Sequence, residues 1–108
     1  MKRITDMLKE LHIPFAYHHF AEGESPKPPF IVYLCPGSDN MYADDSTYFD
    51  ITDVDIELYT DEKDVKAEKR VEEALKRHGF PYSRTETYIP TERLYEVVFS
   101  TQLLGGLS

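Results

Sequence analysis

Hydrophobic and polar positions alternate most clearly from Thr47 to Tyr59 (TYFDITDVDIELY), a run rich in β-branched and aromatic residues. The alternation changes phase partway: Phe49 and Ile51 are odd-numbered, Val54, Ile56 and Leu58 even. Side chains alternate faces along a strand, so the pattern predicts a bulge or sharp twist near Thr52–Asp53. The alternative is a strand that passes from one packing environment to another. Thr60-Asp61 then turns the chain, and Glu62–Arg77 reads as a helix stopped by Gly79. Asp61 is the expected N-cap, and Lys76, Arg77 and His78 suit the negative helix end. Glu72→Lys76 and Glu73→Arg77 are favourable i, i+4 pairs, and Val65, Ala67, Val71, Ala74, Leu75 and His78 form a narrow apolar stripe.

The remaining elements follow from the same patterning. Ile4, Met7, Leu8 and Leu11 predict a short amphipathic helix ending before Pro14. Phe15–Phe20 reads as a strand and Glu22–Pro29 (EGESPKPP) as a stiff linker. Phe30–Cys35 is continuously apolar, as expected of a strand buried on both faces and central in its sheet. Pro36–Ser46 reads as the longest loop, with Met41 and Tyr42 as a partner contact or a local anchor. Tyr82–Tyr88 suits an edge strand, and Leu94–Thr101 a strand further in, with Tyr95, Val97 and Phe99 on one face. The expectation is a single α+β domain over residues 1–101, with a flexible tail over 102–108. Its order is α-β-β-β-α-β-β, an antiparallel or mixed sheet of about five strands with two helices on one face.

Length and composition change this picture little, but charge does. The 108 residues suffice for one core, and 41% hydrophobic content excludes general disorder. Of a formal −8, the segment Asp39–Asp64 carries −9, with ten acids against Lys63 alone, so the rest of the chain stands at +1. A negative surface disfavours binding the outside of a nucleic acid duplex. Cys35 is the only cysteine, which excludes an internal disulfide and suits a reducing compartment. No apolar run approaches the ~20 residues needed to span a bilayer, and no signal-peptide core follows Met1-Lys2-Arg3. A soluble, intracellular protein is expected.

The acidic segment is also where chemistry would be sought. Asp53, Asp55 and Glu57 project from one strand face, and Asp39, Asp44 and Asp45 precede them. Such carboxylates can hold Mg²⁺ or Ca²⁺, as in two-metal nucleases, but the EF-hand spacing is absent and a solvated strand face is the favoured reading. His18 and His19, as strand neighbours, are expected on opposite faces, and neither they, His12 nor His78 shows a zinc spacing. No nucleophile elbow and no phosphate-cradling glycine motif occurs. The expectation is therefore no catalytic residue, no metal and no cofactor.

Three segments taken in order, AYHHF followed by PPFIVYL, then SDNMYADDSTYFDITDVDIELYTDEKD, then GFPYSRTETYIPTERLYEVVFS, resemble the tail-terminator or tail-completion proteins of long-tailed phages and prophages. The resemblance implies a small α/β sheet with helices and a structural, non-enzymatic role. It implies a homo-oligomeric ring, often a hexamer, that caps the tail tube and joins it to the head connector. Tail-tube and connector proteins would be the partners, and DNA would pass without specific binding. The location would be the virion neck, or the bacterial cytoplasm during expression. Part of the Asp39–Glu57 surface would then face the ring lumen. The alternatives are a monomeric or dimeric adaptor binding one protein partner, and a metal-dependent nuclease that would lose DNA cleavage on Asp53→Ala or Asp55→Ala.

Overall fold

The computed structural model describes residues 2–36, 38–42 and 48–104, and the side chains of these other than 38–42, 48–50 and 104. Its elements are α1 (Lys2–Lys9), β1 (Phe15–Tyr17), β2 (Phe30–Leu34), β3 (Ser38–Tyr42), β4 (Tyr48–Thr60), α2 (Val65–Arg77), β5 (Tyr82–Ile89) and β6 (Leu94–Leu104). The fold is α+β. One mixed sheet runs β1-β2-β4-β6-β5, in which only β1 and β2 are parallel. These five strands and two helices follow the expected order. A further short strand, β3, lies within the span expected to be loop and pairs with β4.

The phase change in β4 is not a bulge in that strand. Its register against β6 is unbroken from Ile51↔Leu104 to Thr60↔Tyr95. The irregularity lies in the neighbouring chain, which pairs as β2 at Leu34↔Asp55 and resumes as β3 at Ser38↔Thr52. Three residues separate Leu34 from Ser38 where two separate Thr52 from Asp55, so the extra residue belongs to the β2–β3 side. Even-numbered Thr52, Val54, Ile56, Leu58 and Thr60 all face the core and are buried, while Ile51 is buried on the opposite face. The second reading of the pattern therefore holds: the strand changes which of its faces is apolar.

Both helices cover the same face of the sheet. Ile4, Met7 and Leu8 of α1 and Ala67, Val71, Ala74 and Leu75 of α2 share one core with Ile31, Tyr33, Val54, Ile56, Leu58, Val97, Phe99 and Leu103. Helix α2 is framed by caps that differ in detail from the expectation. Its N-cap is Asp64, not Asp61; the Asp64 carboxylate accepts a hydrogen bond from the Ala67 N–H at 3.0 Å. At the other end the Phe80 and Gly79 N–H groups donate to the Leu75 and Lys76 carbonyls, with Gly79 at φ +77°. That double closure demands the left-handed conformation glycine tolerates. The expected i, i+4 pairs are not made: Arg77 and His78 instead donate to Glu10, pinning the end of α2 to the turn after α1 (each 2.7 Å). Val65 is half exposed rather than part of the apolar stripe.

Two boundaries move. The expected Phe15–Phe20 strand stops at Tyr17, because His18 adopts φ +67°. The expected tail beginning at 102 is instead the continuation of β6, with Leu103 buried in the core. Residues 105–108 lie outside the described residues. Among the described residues no helix is long and apolar enough to cross a membrane.

Candidate functional site

With both helices on one side, the other face of the sheet carries no helix; Phe30, Val32 and Ile51 are buried on it, and β4 sets its polar chemistry. Asp53, Asp55, Glu57 and Tyr59 alternate with the core residues Val54, Ile56 and Leu58, so the same two-residue period that builds the core lines up the carboxylates outside. The register places Phe30, Val32 and Leu34 of β2 on one side of this column. On its other side it places Glu96, Val98, Ser100 and Gln102 of β6, and then Ser83, Thr85 and Thr87 of β5. Among the described residues, no lysine or arginine side chain belongs to this face of the strands. Successive carboxylates on β4 stand about 6–7 Å apart, inside a Debye length of about 8 Å at physiological salt, so their fields add.

Asp53 and Asp55 are held by cross-strand partners, and Glu57 by Tyr59 of its own strand. The Gln102 amide donates to Asp53 at 2.9 Å, and the Ser100 hydroxyl donates to Asp55 at 2.8 Å. The Tyr59 hydroxyl lies 2.6 Å from Glu96 Oε2 and 3.0 Å from Glu57 Oε1. One phenolic proton cannot serve two carboxylates, so it goes to the nearer Glu96, and the second contact is satisfied when Glu57 itself carries a proton. Burial pushes the Glu57 carboxyl above its ordinary range, with the Glu96 and Asp55 charges adding to the rise and the Tyr59 hydrogen bond opposing it. The Tyr59 phenol is pushed far up, first by burial and then by its two carboxylate neighbours. Aromatic packing fixes this corner: Tyr59 stacks on Phe30 at 5.1 Å, and Phe20 meets Phe30 edge-on at 5.6 Å.

A second polar cluster sits on the helix side of β5. Glu68 of α2 is buried, yet its carboxylate meets Arg84 at 2.8 Å and Lys63 at 2.8 Å. Arg84 also reaches Glu72 at 3.0 Å, and Lys63 pairs with Glu86. These hydrogen bonds hold the Arg84 and Lys63 cations charged, with Glu68 the leading cause for both, and Lys63 holds the Glu86 carboxyl below its ordinary range. The cluster is internally paired and ties α2 to the sheet, which is a structural task.

The sequence-selected residues therefore separate. Asp53, Asp55 and Glu57 do share one face, each of them partly buried. Asp39 lies in β3 opposite Ile51, with its side chain outside the described residues, as are Asp44 and Asp45 entirely. Met41 and Tyr42 lie in β3 rather than a loop, and their side chains are likewise outside the description. His18 and His19 do not point to opposite faces. The strand ends before them, and their Nδ1 atoms stand 3.1 Å apart. Among the described residues no three His, Cys, Asp or Glu side chains converge in a metal-binding arrangement. Sequence reasoning missed Tyr59, Glu96 and Glu68. Tyr59 was detectable as the next same-face position after Glu57, whereas Glu96 becomes its partner only through the β4–β6 register. No family model matches the chain, and no curated protein sequence matches it.

Proposed function

We propose that the protein is a structural, non-enzymatic assembly protein of the phage tail-terminator kind. In this role it forms a ring that caps a tail tube, meets the head connector and lets DNA pass. The observation that carries this reading is the acidic column Asp53–Asp55–Glu57 with Glu96 beside it, on a sheet face that neither helix covers and that holds no lysine or arginine among the described residues. A conduit for DNA needs such a wall, because carboxylates repel the phosphate backbone and prevent the counterion-releasing contacts that would hold it. A ring also needs a heterologous contact that closes, and a sheet with uncovered edges and face offers one.

The nuclease alternative has less support: Asp53 and Asp55 each accept one cross-strand hydrogen bond, from Gln102 and Ser100, as carboxylates on a polar strand face do. The role is tested by electron microscopy of the protein alone and mixed with a phage tail-tube protein. Closed rings seated on tube ends are the expected result; tubes left uncapped across all mixing ratios would refute the reading.

A further inference from the structure

The sheet ends at β5, and that end is unusually open. Tyr82–Ile89 pairs with β6 in one continuous register, Tyr82↔Thr101 to Ile89↔Leu94, and contains no proline, glycine or bulge. Among the described residues, no other backbone segment hydrogen-bonds to its outer side. The opposite edge, β1, has three residues and is terminated by His18. A long, straight edge carries a row of unpaired N–H and C=O groups, which is a template for another strand.

The residues along this edge say which strand fits. Read about Thr85, YSRTETY is its own complement when reversed. Tyr82 falls opposite Tyr88, Ser83 opposite Thr87, Arg84 opposite Glu86, and Thr85 opposite itself. Aromatic, hydroxyl and opposite-charge pairs are the cross-strand combinations that stabilise antiparallel strands. We propose that β5 pairs antiparallel with β5 of a second copy, about a two-fold axis at Thr85, giving a dimer with one continuous sheet. Such a contact is isologous, so every pair occurs twice. Arg84 and Glu86 are each about one-third exposed (34% and 38%) despite their internal partners, so both present charge to the second copy. Tyr88, 46% exposed and tilted against Tyr95 at 4.8 Å, gains the second copy's Tyr82 as cover. The axis is perpendicular to the sheet, so the helices of both copies lie on one side and both acidic columns on the other.

This contact closes at two copies and does not depend on the ring. Sedimentation velocity of the full chain over a dilution series tests it, together with disulfide trapping in a Cys35→Ser background. The wild type is expected to dimerise reversibly. Thr85→Lys sets two like charges opposite each other at an exposed position, and loss of dimer at unchanged thermal stability is the expected result. Thr85→Cys is expected to oxidise to a covalent dimer, because directly opposed residues in antiparallel strands have Cα separations of about 4.5–5.5 Å, within disulfide range. Ser83→Cys alone is expected not to, and Ser83→Cys with Thr87→Cys is. A monomer at every concentration, a dimer indifferent to Thr85→Lys, or linkage at 83 as efficient as at 85 would overturn the proposal. Rings without an 85–85 link would refute this pairing and leave the ring role standing. A linked dimer that never caps tubes would do the reverse.

Discussion

Tyr59 shows how far one side chain determines the character of the uncovered face. Its single proton lies between two acids, so the state of Glu57 decides whether the face carries one charge more or less. The Glu57 carboxyl is raised, chiefly by burial, so the folded protein holds that proton more tightly than the unfolded chain. Stability from this group therefore falls as pH climbs from the ordinary carboxylate range through the raised value. Glu57→Gln keeps a donor for Tyr59 and removes the titration. It is expected to stabilise the protein at neutral pH by up to about 1 kcal/mol and to flatten that part of a urea-denaturation profile against pH. Glu86 behaves oppositely: lowered by Lys63, it contributes stability that is present above the ordinary carboxylate range and lost as pH falls through its depressed value. Glu68 tests the helix-side cluster. Glu68→Ala leaves Arg84 and Lys63 without their central acceptor, and a loss of about 1–3 kcal/mol is expected in urea denaturation.

At the scale of elements, α2 and β4 position everything else. Helix α2 is held at both ends by local chemistry. Asp64→Ala is expected to cost about 1 kcal/mol through the lost cap. Gly79→Ala is expected to cost about 1–2 kcal/mol although nothing lies within 4 Å of the added Cβ, because the penalty is the left-handed backbone itself. Thermal or chemical denaturation of the two variants checks both values. Much of this layer was legible in the sequence, since α1, α2, β2, β5 and most of β6 declare themselves through period and caps. The Asp53–Asp55–Glu57 column was legible for the same reason, because a two-residue period needs no tertiary information. What was not legible depends on pairing. The phase break in β4 is a change in which of its faces is apolar, since its register against β6 runs on unbroken. His18 leaves the strand through its backbone angle, and Leu103 becomes core only because β6 has Thr52 as a partner. Glu68 occupies an apolar stripe position as a carboxylate, which only the arrival of Arg84 and Lys63 makes tolerable.

The whole molecule is a one-sided sheet with its charge sorted by face. On the helix side, acids and bases interleave and pair; on the other, among the described residues, Asp53, Asp55, Glu57 and Glu96 share their strand face with no lysine or arginine. A solubilising surface would not need that sorting, whereas a wall along a DNA path would. The β5 edge lies at the sheet's end, away from the acidic column, so pairing there leaves the column uncovered. Electron cryomicroscopy of the protein assembled on tail tubes tests the central claim most directly, by showing where Asp53, Asp55 and Glu57 lie. The account predicts a closed ring with these three carboxylates facing the lumen. A ring that carries them on its outer rim, or buries them between neighbouring copies, would contradict it.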